Sequence, residues 1–569
     1  MKSRAEKRMY LFYLVIIAGA VISLVFTNIS YDAEYQLAMA YRFVKGDKMI
    51  TQMWEPHQTS AFLCAILMKI YIMITGTTTG IVLYTQIMGL LIRGGIAIWF
   101  MKVVKEWIGE KPALIIGVIY LLISPKELLT PEFGNMQIWF STTMYLCLLQ
   151  YMKKSNVIYL LGAAVSLCLG VFAYPSAVLC YFSALFALWV YSAKRKRDIG
   201  LFTAVCALIG GAFVLYLLYT IGFDTIMRCL DCALGLEPTH TVSMWDKVLA
   251  HILNIGKVAG ILAGVCAVGF LVERLLWLLG KRKEGNKKGF SLNNWLTASW
   301  FVLMACLFVN ILSVKNRGGY AIPFLFVLAL GFWKRKLLSD TEKRMYYMAM
   351  AVSLMNLLAT LVLSDNAFIQ AITYMLIWIC ASVVPLYRWY GQMEKKSLRR
   401  AVAGGFHIWL ILIVFRIVFI HIPIYGRGQI CSLLDDLGLI RSGPAMGIVT
   451  DELGAAMQRD SMKEWGQFVK PGDTIWILGE PVDTLGYLYE DVEVGAPTVM
   501  STPTYNEKLL YYWEINPEKY PDVVILASGF GNLSWELSQN TWLMDWLENE
   551  YCADKVTDGA YWRYYERRR

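Results

Sequence analysis

Apolar runs of about twenty residues recur between residues 10 and 420, and they constrain the fold more than any other feature of the chain. A run of this length crosses the hydrocarbon core of a bilayer as one helix. The chain is 57% hydrophobic and only 17% charged, so it cannot hide its apolar surface in a water-soluble shape. We predict a polytopic α-helical membrane protein with about thirteen spans, near residues 10–26, 81–101, 112–123, 136–152, 156–172, 177–193, 200–220, 258–279, 295–313, 320–333, 345–363, 367–386 and 401–420.

The basic N-terminus followed by residues 10–26 is typical of a signal sequence, but no small-residue cleavage site follows it. We therefore expect a retained first helix. The net charge of +10 would suggest nucleic acid in a soluble protein. Here the basic residues cluster at the ends of the apolar runs, where the positive-inside rule places them.

The segment from Gln58 to Thr75 is apolar enough to span but carries Lys69. If it lies at the interface, the inner loops hold about three times as many Lys and Arg residues as the outer loops. If it spans, the excess is reversed. We therefore predict an interfacial segment and a cytoplasmic N-terminus in a cell membrane, which we take to be a bacterial plasma membrane.

With thirteen spans and a cytoplasmic N-terminus, residues 424–569 are predicted to lie on the extracytoplasmic side, and residues 1–423 to form the membrane domain. The tail shows the pattern of a small α/β domain, with strands at 474–479 and 523–527 and helices at 451–468 and around 542–550. Its many aromatic residues are able to stack on sugar rings, although a core or a belt at the membrane explains them equally well.

The cysteine residues do not predict a metal site. Most of the twelve cysteines lie in apolar runs, where cysteine behaves as a small hydrophobe. Cys229 and Cys232 form one CxxC pair in a predicted outer loop, without a second pair that would complete a zinc site. A disulfide between them is compatible with the sequence and is not demanded by it.

The first outer loop, residues 27–80, is the main polar segment among the early apolar runs. Its first part predicts an amphipathic helix that ends at Gly46 and lies on the membrane surface. Asp32 stands at the start of this helix, where capping of the first turn is one interpretation and catalysis another. Glu34 can equally be an acid that stabilises the helix dipole.

The second part of the loop contains Trp54, Glu55, Pro56 and His57 just before the interfacial segment. A carboxylate and an imidazole at the lipid boundary are costly unless they are paired or used. The residues alone thus indicate an acidic pocket that faces outward at the level of the membrane.

The order of a basic N-terminus, one span, YDAEYQLAMAYRFVKGD and then WEPHQTSAFLCAILMKIY resembles the C-type (GT-C) membrane glycosyltransferase superfamily. The resemblance is to its branches that use polyprenyl-phosphate sugars, such as protein O-mannosyltransferases and 4-amino-4-deoxy-L-arabinose transferases. Asp32 matches the motif aspartate, Gly46-Asp47 the end of the helix, and Glu55 the later acid. Ala33 is a departure, since the family usually places two acids side by side, and it leaves the role of Glu34 open.

This resemblance implies an enzyme that transfers a sugar from a polyprenyl-phosphate donor to an extracytoplasmic glycan, lipid or protein. Asp32 would be the general base and the anomeric centre would be inverted. Glu55 would be a second catalytic acid, with Glu34 and His57 in contact with substrate. No cofactor, metal ion or nucleic acid is expected; the donor is itself a substrate.

A cation must hold the leaving phosphate. The outer stretch that contains Lys315, Arg317 and Tyr320 is the best candidate, because two basic residues lie there against the general charge bias and glycines accompany them. The alternative is a basic rim that contacts lipid headgroups.

Two other functions remain open at this stage. A flippase or transporter of lipid-linked glycans would show inverted repeats and charges along a path between spans. A polymerase or ligase of such glycans would place its key basic residues in a large late outer loop. The transferase predicts instead that Asp32, Glu55 and Arg317 converge in one outward-facing pocket.

Overall fold

The computed structural model describes residues 4–27, 31–123, 129–236, 244–284, 291–312, 322–363, 368–420, 422–423, 430–489, 491–527 and 532–567. Every predicted span corresponds to a helix. The helices of the membrane part are α1 Arg4–Thr27, α2 Tyr31–Lys45, α3 Ala61–Thr75, α4 Ile81–Ile108, α5 Glu110–Leu122, α6 Phe133–Lys154, α7 Val157–Ala173, α8 Cys180–Tyr191, α9 Arg195–Thr220, α10 Phe223–Leu236, α11 Met244–Glu284, α12 Leu292–Leu312, α13 Ile322–Lys334, α14 Asp340–Leu363, α15 Phe368–Ala371, α16 Leu376–Gly391 and α17 Lys396–Phe415.

The chain is a multi-pass membrane protein by the length and composition of its helices. Within the described residues, seven helices are long and apolar enough to cross a bilayer, or eight if α1 and α2 are counted as one bent span. The thirteen predicted spans thus exist as helices, but only six of them are among the seven; the seventh is Gln58–Thr75, which we predicted to lie at the interface. Their shared core is a continuous cluster of buried side chains drawn mainly from α4 to α8, α12 to α14, α16 and α17.

The C-terminal part contains a five-stranded mixed sheet with the order β6-β5-β7-β9-β8. β5 pairs in parallel with β6 and β7, and β9 pairs antiparallel with β7 and β8. This confirms an α/β domain and both predicted strands. Its elements are β1 Ile422–Pro423, β2 Ile430–Cys431, β3 Leu437–Leu439, β4 Val449–Asp451, α18 Glu452–Phe468, β5 Thr474–Leu478, β6 Glu493–Val494, α19 Lys508–Ile515, β7 Val523–Ala527, α20 Asn532–Ser538, α21 Thr541–Asp545, β8 Lys555–Asp558 and β9 Trp562–Glu566.

The aromatic residues of this domain form its core. The rings of Trp513 and Trp546 stack at 4.8 Å, and Trp476 meets both of them edge to face. All three side chains are buried. Their large apolar area therefore stabilises the domain and is not open to a sugar.

Segment 58–75 forms one helical stretch whose two flanks both contact the C-terminal domain. Before it, the amide of Trp54 donates to the carbonyl of Pro497 at 2.8 Å. After it, the hydroxyl of Thr78 donates to the carbonyl of Leu488 at 2.6 Å, and the amide of Gly80 to that of Gly443 at 3.0 Å. A helix that crossed the bilayer would place its flanks on opposite sides, so these contacts support the interfacial interpretation.

A buried ionic network joins α2 to the C-terminal domain. The guanidinium of Arg42 is bound by Asp47 at 2.7 Å and Glu55 at 3.2 Å, and it donates to the carbonyls of Gln52 and Pro497. The ammonium of Lys519 reaches Asp47 at 2.5 Å from the other side. Burying these charges is tolerable only because each is paired and hydrogen-bonded.

We predict that Lys519→Met destabilises the protein. It removes the second partner of Asp47, and breaking a buried pair costs about 3 kcal/mol, so we expect the melting temperature in detergent to fall by several degrees. Lys508→Met is the matched control, because Lys508 pairs with Asp231 at the surface and such a pair contributes less than about 1 kcal/mol. Equal melting temperatures for the two variants would contradict a stabilising role of the network.

Candidate active site

The start of α2 carries two acids in different surroundings. α2 begins at Tyr31, so Asp32 lies in its first turn and retains contact with solvent. Glu34 is only 1% exposed, and its Oε2 has no hydrogen-bond partner within the described structure. Burial raises the pKa of Glu34 well above its usual range, and the nearby carboxylates of Asp483 and Asp32 raise it further.

Asp483 is the counterpart of Glu34 in the C-terminal domain. It lies in the turn of 3-10 helix Pro481–Leu488, which packs on α2, and it accepts the amide of Glu480 at 2.7 Å. Burial raises the pKa of Asp483 to about 8; the charge of Glu480 acts in the same direction, while the hydrogen bond from the amide of Glu480 opposes it. Each of the two carboxyl groups therefore holds its proton to a higher pH than an ordinary carboxyl group does.

A second set of polar side chains is grouped around Tyr374. The hydroxyl of Tyr374 lies within electrostatic range of Glu132, Tyr174 and Asp32. His57 stacks on Tyr174 at 5.0 Å, and its other face stacks on Phe133 at 4.5 Å. We call Asp32, His57, Glu132, Tyr174 and Tyr374 the Asp32 cluster; it lies where α2, α6, α7 and the residues before α16 meet.

Glu132 holds this cluster in place through the backbone. Its two carboxylate oxygens accept the amides of Gly134 at 2.7 Å and Asn135 at 2.5 Å, so it caps the start of α6. A side chain at position 134 would collide with the hydroxyl of Tyr374. Gly134 thus lets the tyrosine approach the capping acid.

Glu55 belongs to the Arg42 network. Its Oε1 accepts Arg42 and the amide of Val499 at 2.9 Å, and the side chain is 1% exposed. Burial raises its pKa, although Arg42 acts in the opposite direction. Glu55 also lines a cavity of about 170 Å³ with Trp54 and with Cys229 and Leu230 of α10. Glu55 and His57 are two residues apart but contact different groups, and only His57 reaches the Asp32 cluster.

The predicted phosphate-binding residues Lys315, Arg317 and Tyr320 lie outside the described residues, so their convergence with Asp32 stays a prediction.

The CxxC pair lies on α10, which packs on the C-terminal domain. Thr502 and Thr504 donate to the carbonyl of Leu236 at 3.0 and 2.6 Å. Cys229 and Cys232 are buried free thiols. The described residues contain no group of three or more His, Cys, Asp or Glu side chains that could hold a metal ion.

Comparison with known proteins gives distant structural likenesses. No family model and no curated protein matches the chain. It is similar to the archaeal oligosaccharyltransferase AglB from Archaeoglobus fulgidus in complex with an inhibitory peptide and a dolichol-phosphate, with 11% identity, 92% of this chain and 70% of that chain covered, and a TM-score of 0.42. It is also similar to apo ArnT from Cupriavidus metallidurans, with 10% identity, 99% and 98% covered, and a TM-score of 0.41. At these TM-scores the two likenesses carry no argument about the family of this chain or about the role of any residue.

Sequence reasoning missed several members of the site. Glu132 stands between Pro131 and an apolar run, which is a signal for the start of a helix, and a search for helix caps would have found it. Tyr374 and Asp483 carry no such local signal. Only the fold brings them to α2, from positions hundreds of residues away.

We predict that stability depends on pH through Asp483 and Glu34. In the folded state their raised pKa values hold protons that the unfolded chain releases near pH 4, so the stability that these two groups contribute is present in full below about pH 4 and is lost as pH rises toward about 8. Asp483→Asn keeps the acceptor for the amide of Glu480 and should flatten this fall, as measured by melting temperature between pH 5 and 8.5. Asp460→Asn, at an exposed position of α18, should keep the wild-type slope; an unchanged slope in Asp483→Asn would contradict the assignment.

Proposed function

We propose that this protein transfers a sugar from a polyprenyl-phosphate donor to a hydroxyl group on the outer side of the membrane, with inversion at the anomeric carbon. The observation that carries the proposal is the placement of Asp32. It is a partly exposed carboxylate in the first turn of α2, the helix that packs on the C-terminal domain, and it lies within electrostatic range of Tyr374 of the Asp32 cluster. A base that must meet an incoming hydroxyl needs this combination of access and fixed surroundings.

The reaction needs a base that takes the proton of the attacking hydroxyl group and a cation that stabilises the charge of the leaving phosphate. The acceptor oxygen attacks the anomeric carbon while Asp32 takes its proton. The bond between that carbon and the phosphate oxygen breaks, and the phosphate leaves with the electron pair. Since the leaving group is already an anion, a nearby cation suffices to hold it. Lys315 and Arg317 are proposed for this role, with Tyr320 beside them.

The surroundings of the other acids favour Asp32 over them. Burial raises the pKa of Glu34 well above its usual range, and a side chain that is only 1% exposed is not open to an incoming hydroxyl group. Glu55 is held by Arg42 and by the amide of Val499, so it positions the loop that carries His57. Glu132 uses both oxygens to cap α6. We therefore assign Glu55 a positioning role and Glu34 an uncharged one.

The stacked His57 fits a substrate contact. Its ring is fixed between Phe133 and Tyr174 at 4.5 and 5.0 Å, so an edge of the imidazole is presented in one orientation. A ring fixed in this way can hydrogen-bond a sugar hydroxyl without losing rotamer freedom on binding.

We predict that Asp32→Asn lowers transfer by about 10²- to 10⁴-fold, the range for removal of a general base. The assay uses purified protein in nanodiscs with a panel of labelled polyprenyl-phosphate hexoses and pentoses and an extract of envelope glycans as acceptor. Asp340→Asn, in the first turn of α14, is the matched control and should retain wild-type activity.

Full activity of Asp32→Asn would rule out Asp32 as the base. If the wild-type protein transferred no sugar from any donor of the panel but moved labelled lipid-linked glycans between vesicle leaflets, the transporter would replace the transferase.

A further inference from the structure

An apolar cavity of about 260 Å³ lies among α5, α12, α13, α16 and α17, away from the Asp32 cluster. Its walls are formed mainly by aromatic and aliphatic side chains, including Trp300, Phe326, Phe406 and Trp409. The rings pack against one another: the ring centre of Trp300 lies 5.6 Å from that of Trp409 and 5.5 Å from that of Phe326. The cavity thus has a preformed shape.

The cavity opens on the half of the bundle that is remote from the C-terminal domain. Several lining residues, such as Trp389 and Tyr390, lie at the end of α16 that is far from the Asp32 cluster. Tyr387, Tyr390 and Phe406 remain partly exposed, so the cavity is open at the surface of the bundle. By the charge distribution of the loops, this side faces the cytoplasm.

Two cations flank the opening. The ammonium of Lys334 lies 5.0 Å from the ring of Trp389, and the guanidinium of Arg399 lies 5.0 Å from the ring of Tyr390. Both rings line the cavity. Across the part of the chain that the structure describes, neither cation has a carboxylate within ion-pair distance.

We propose that this cavity binds one acyl chain of an anionic phospholipid from the cytoplasmic leaflet, with the phosphate held between Lys334 and Arg399. The binding goes beyond the proposed sugar transfer, and only the choice of a phospholipid over the polyprenyl chain of the donor rests on that proposal. An apolar cavity of this kind favours an apolar occupant over water, and a lipid chain makes van der Waals contacts with its walls. The two cations select an anionic headgroup.

The end of the bundle at which the cavity opens favours a phospholipid over the polyprenyl chain of the donor. The proposed reaction places the donor phosphate at the opposite end of the bundle, beside Asp32. A phospholipid of the cytoplasmic leaflet places its phosphate directly at Lys334 and Arg399.

The test measures lipid retention and stabilisation of the delipidated protein in detergent. Dioleoylphosphatidylglycerol and dioleoylphosphatidylcholine have the same chains and differ in charge. We expect the anionic lipid to raise the melting temperature more and to remain bound in native mass spectrometry. Lys334→Met and Arg399→Met should each lower its retention about fivefold, the effect of one basic residue near an anionic headgroup. Lys336→Met, an exposed lysine that follows α13, should have no effect.

Ala403→Phe fills the cavity from α17 and should abolish retention of both lipids. Equal retention of the two lipids by the wild-type protein, or no effect of Lys334→Met and Arg399→Met together, would overturn the proposal. So would a co-purified polyprenyl phosphate that is lost in Ala403→Phe. If Ala403→Phe does not fold, the comparison of the two lipids and the Lys334→Met and Arg399→Met variants still decide.

Discussion

The outer face of this protein depends on the burial of one guanidinium group. Arg42 is 1% exposed and is bound by Asp47 and Glu55 from its own loop. The carbonyl of Pro497 and the hydroxyl of Tyr512 bind it from the C-terminal domain, at 3.0 and 3.2 Å. A guanidinium with unmet donors is very costly inside a protein. The first outer loop and the C-terminal domain therefore stabilise each other, and α2 takes its observed position only with that domain in place.

This interaction divides the four acids of the loop by role. Asp47 and Glu55 neutralise Arg42, and Glu34 is buried against Asp483. Asp32 alone of the four combines contact with solvent and a polar cluster from other helices. The division arises from burial and partners, since all four side chains carry the same chemical group. This difference in burial and pairing is the physical reason why we propose only one of the four carboxylates as the base.

The helices and the two main strands could be predicted because their signals are local. Apolar runs set the helices, and Val523–Ala527 was predicted with the bounds that the structure shows. The charge balance of the loops also predicted that segment 58–75 does not cross, in line with its flanking contacts. The site was harder, because Glu55 looks the same in sequence whether it binds a sugar or Arg42. The pairing of Asp47 with Lys519 and the approach of Tyr374 to Asp32 join residues far apart in the chain, and no local pattern records them.

The Arg42 network also decides which contact with the C-terminal domain opens most easily. Between α2 and the C-terminal domain, opening would expose the buried Arg42 and Lys519 pairs. α10 is held to that domain without a buried ion pair among the described residues: Lys508 and Asp231 pair at the surface, and Thr502 and Thr504 donate to the carbonyl of Leu236. The side chains of Leu230 and Leu234 on α10 are partly exposed and also line the cavity that contains Trp54 and Glu55. Local opening follows the weakest contacts, so α10 separates from the C-terminal domain more easily than α2, and α2 keeps Asp32 in place.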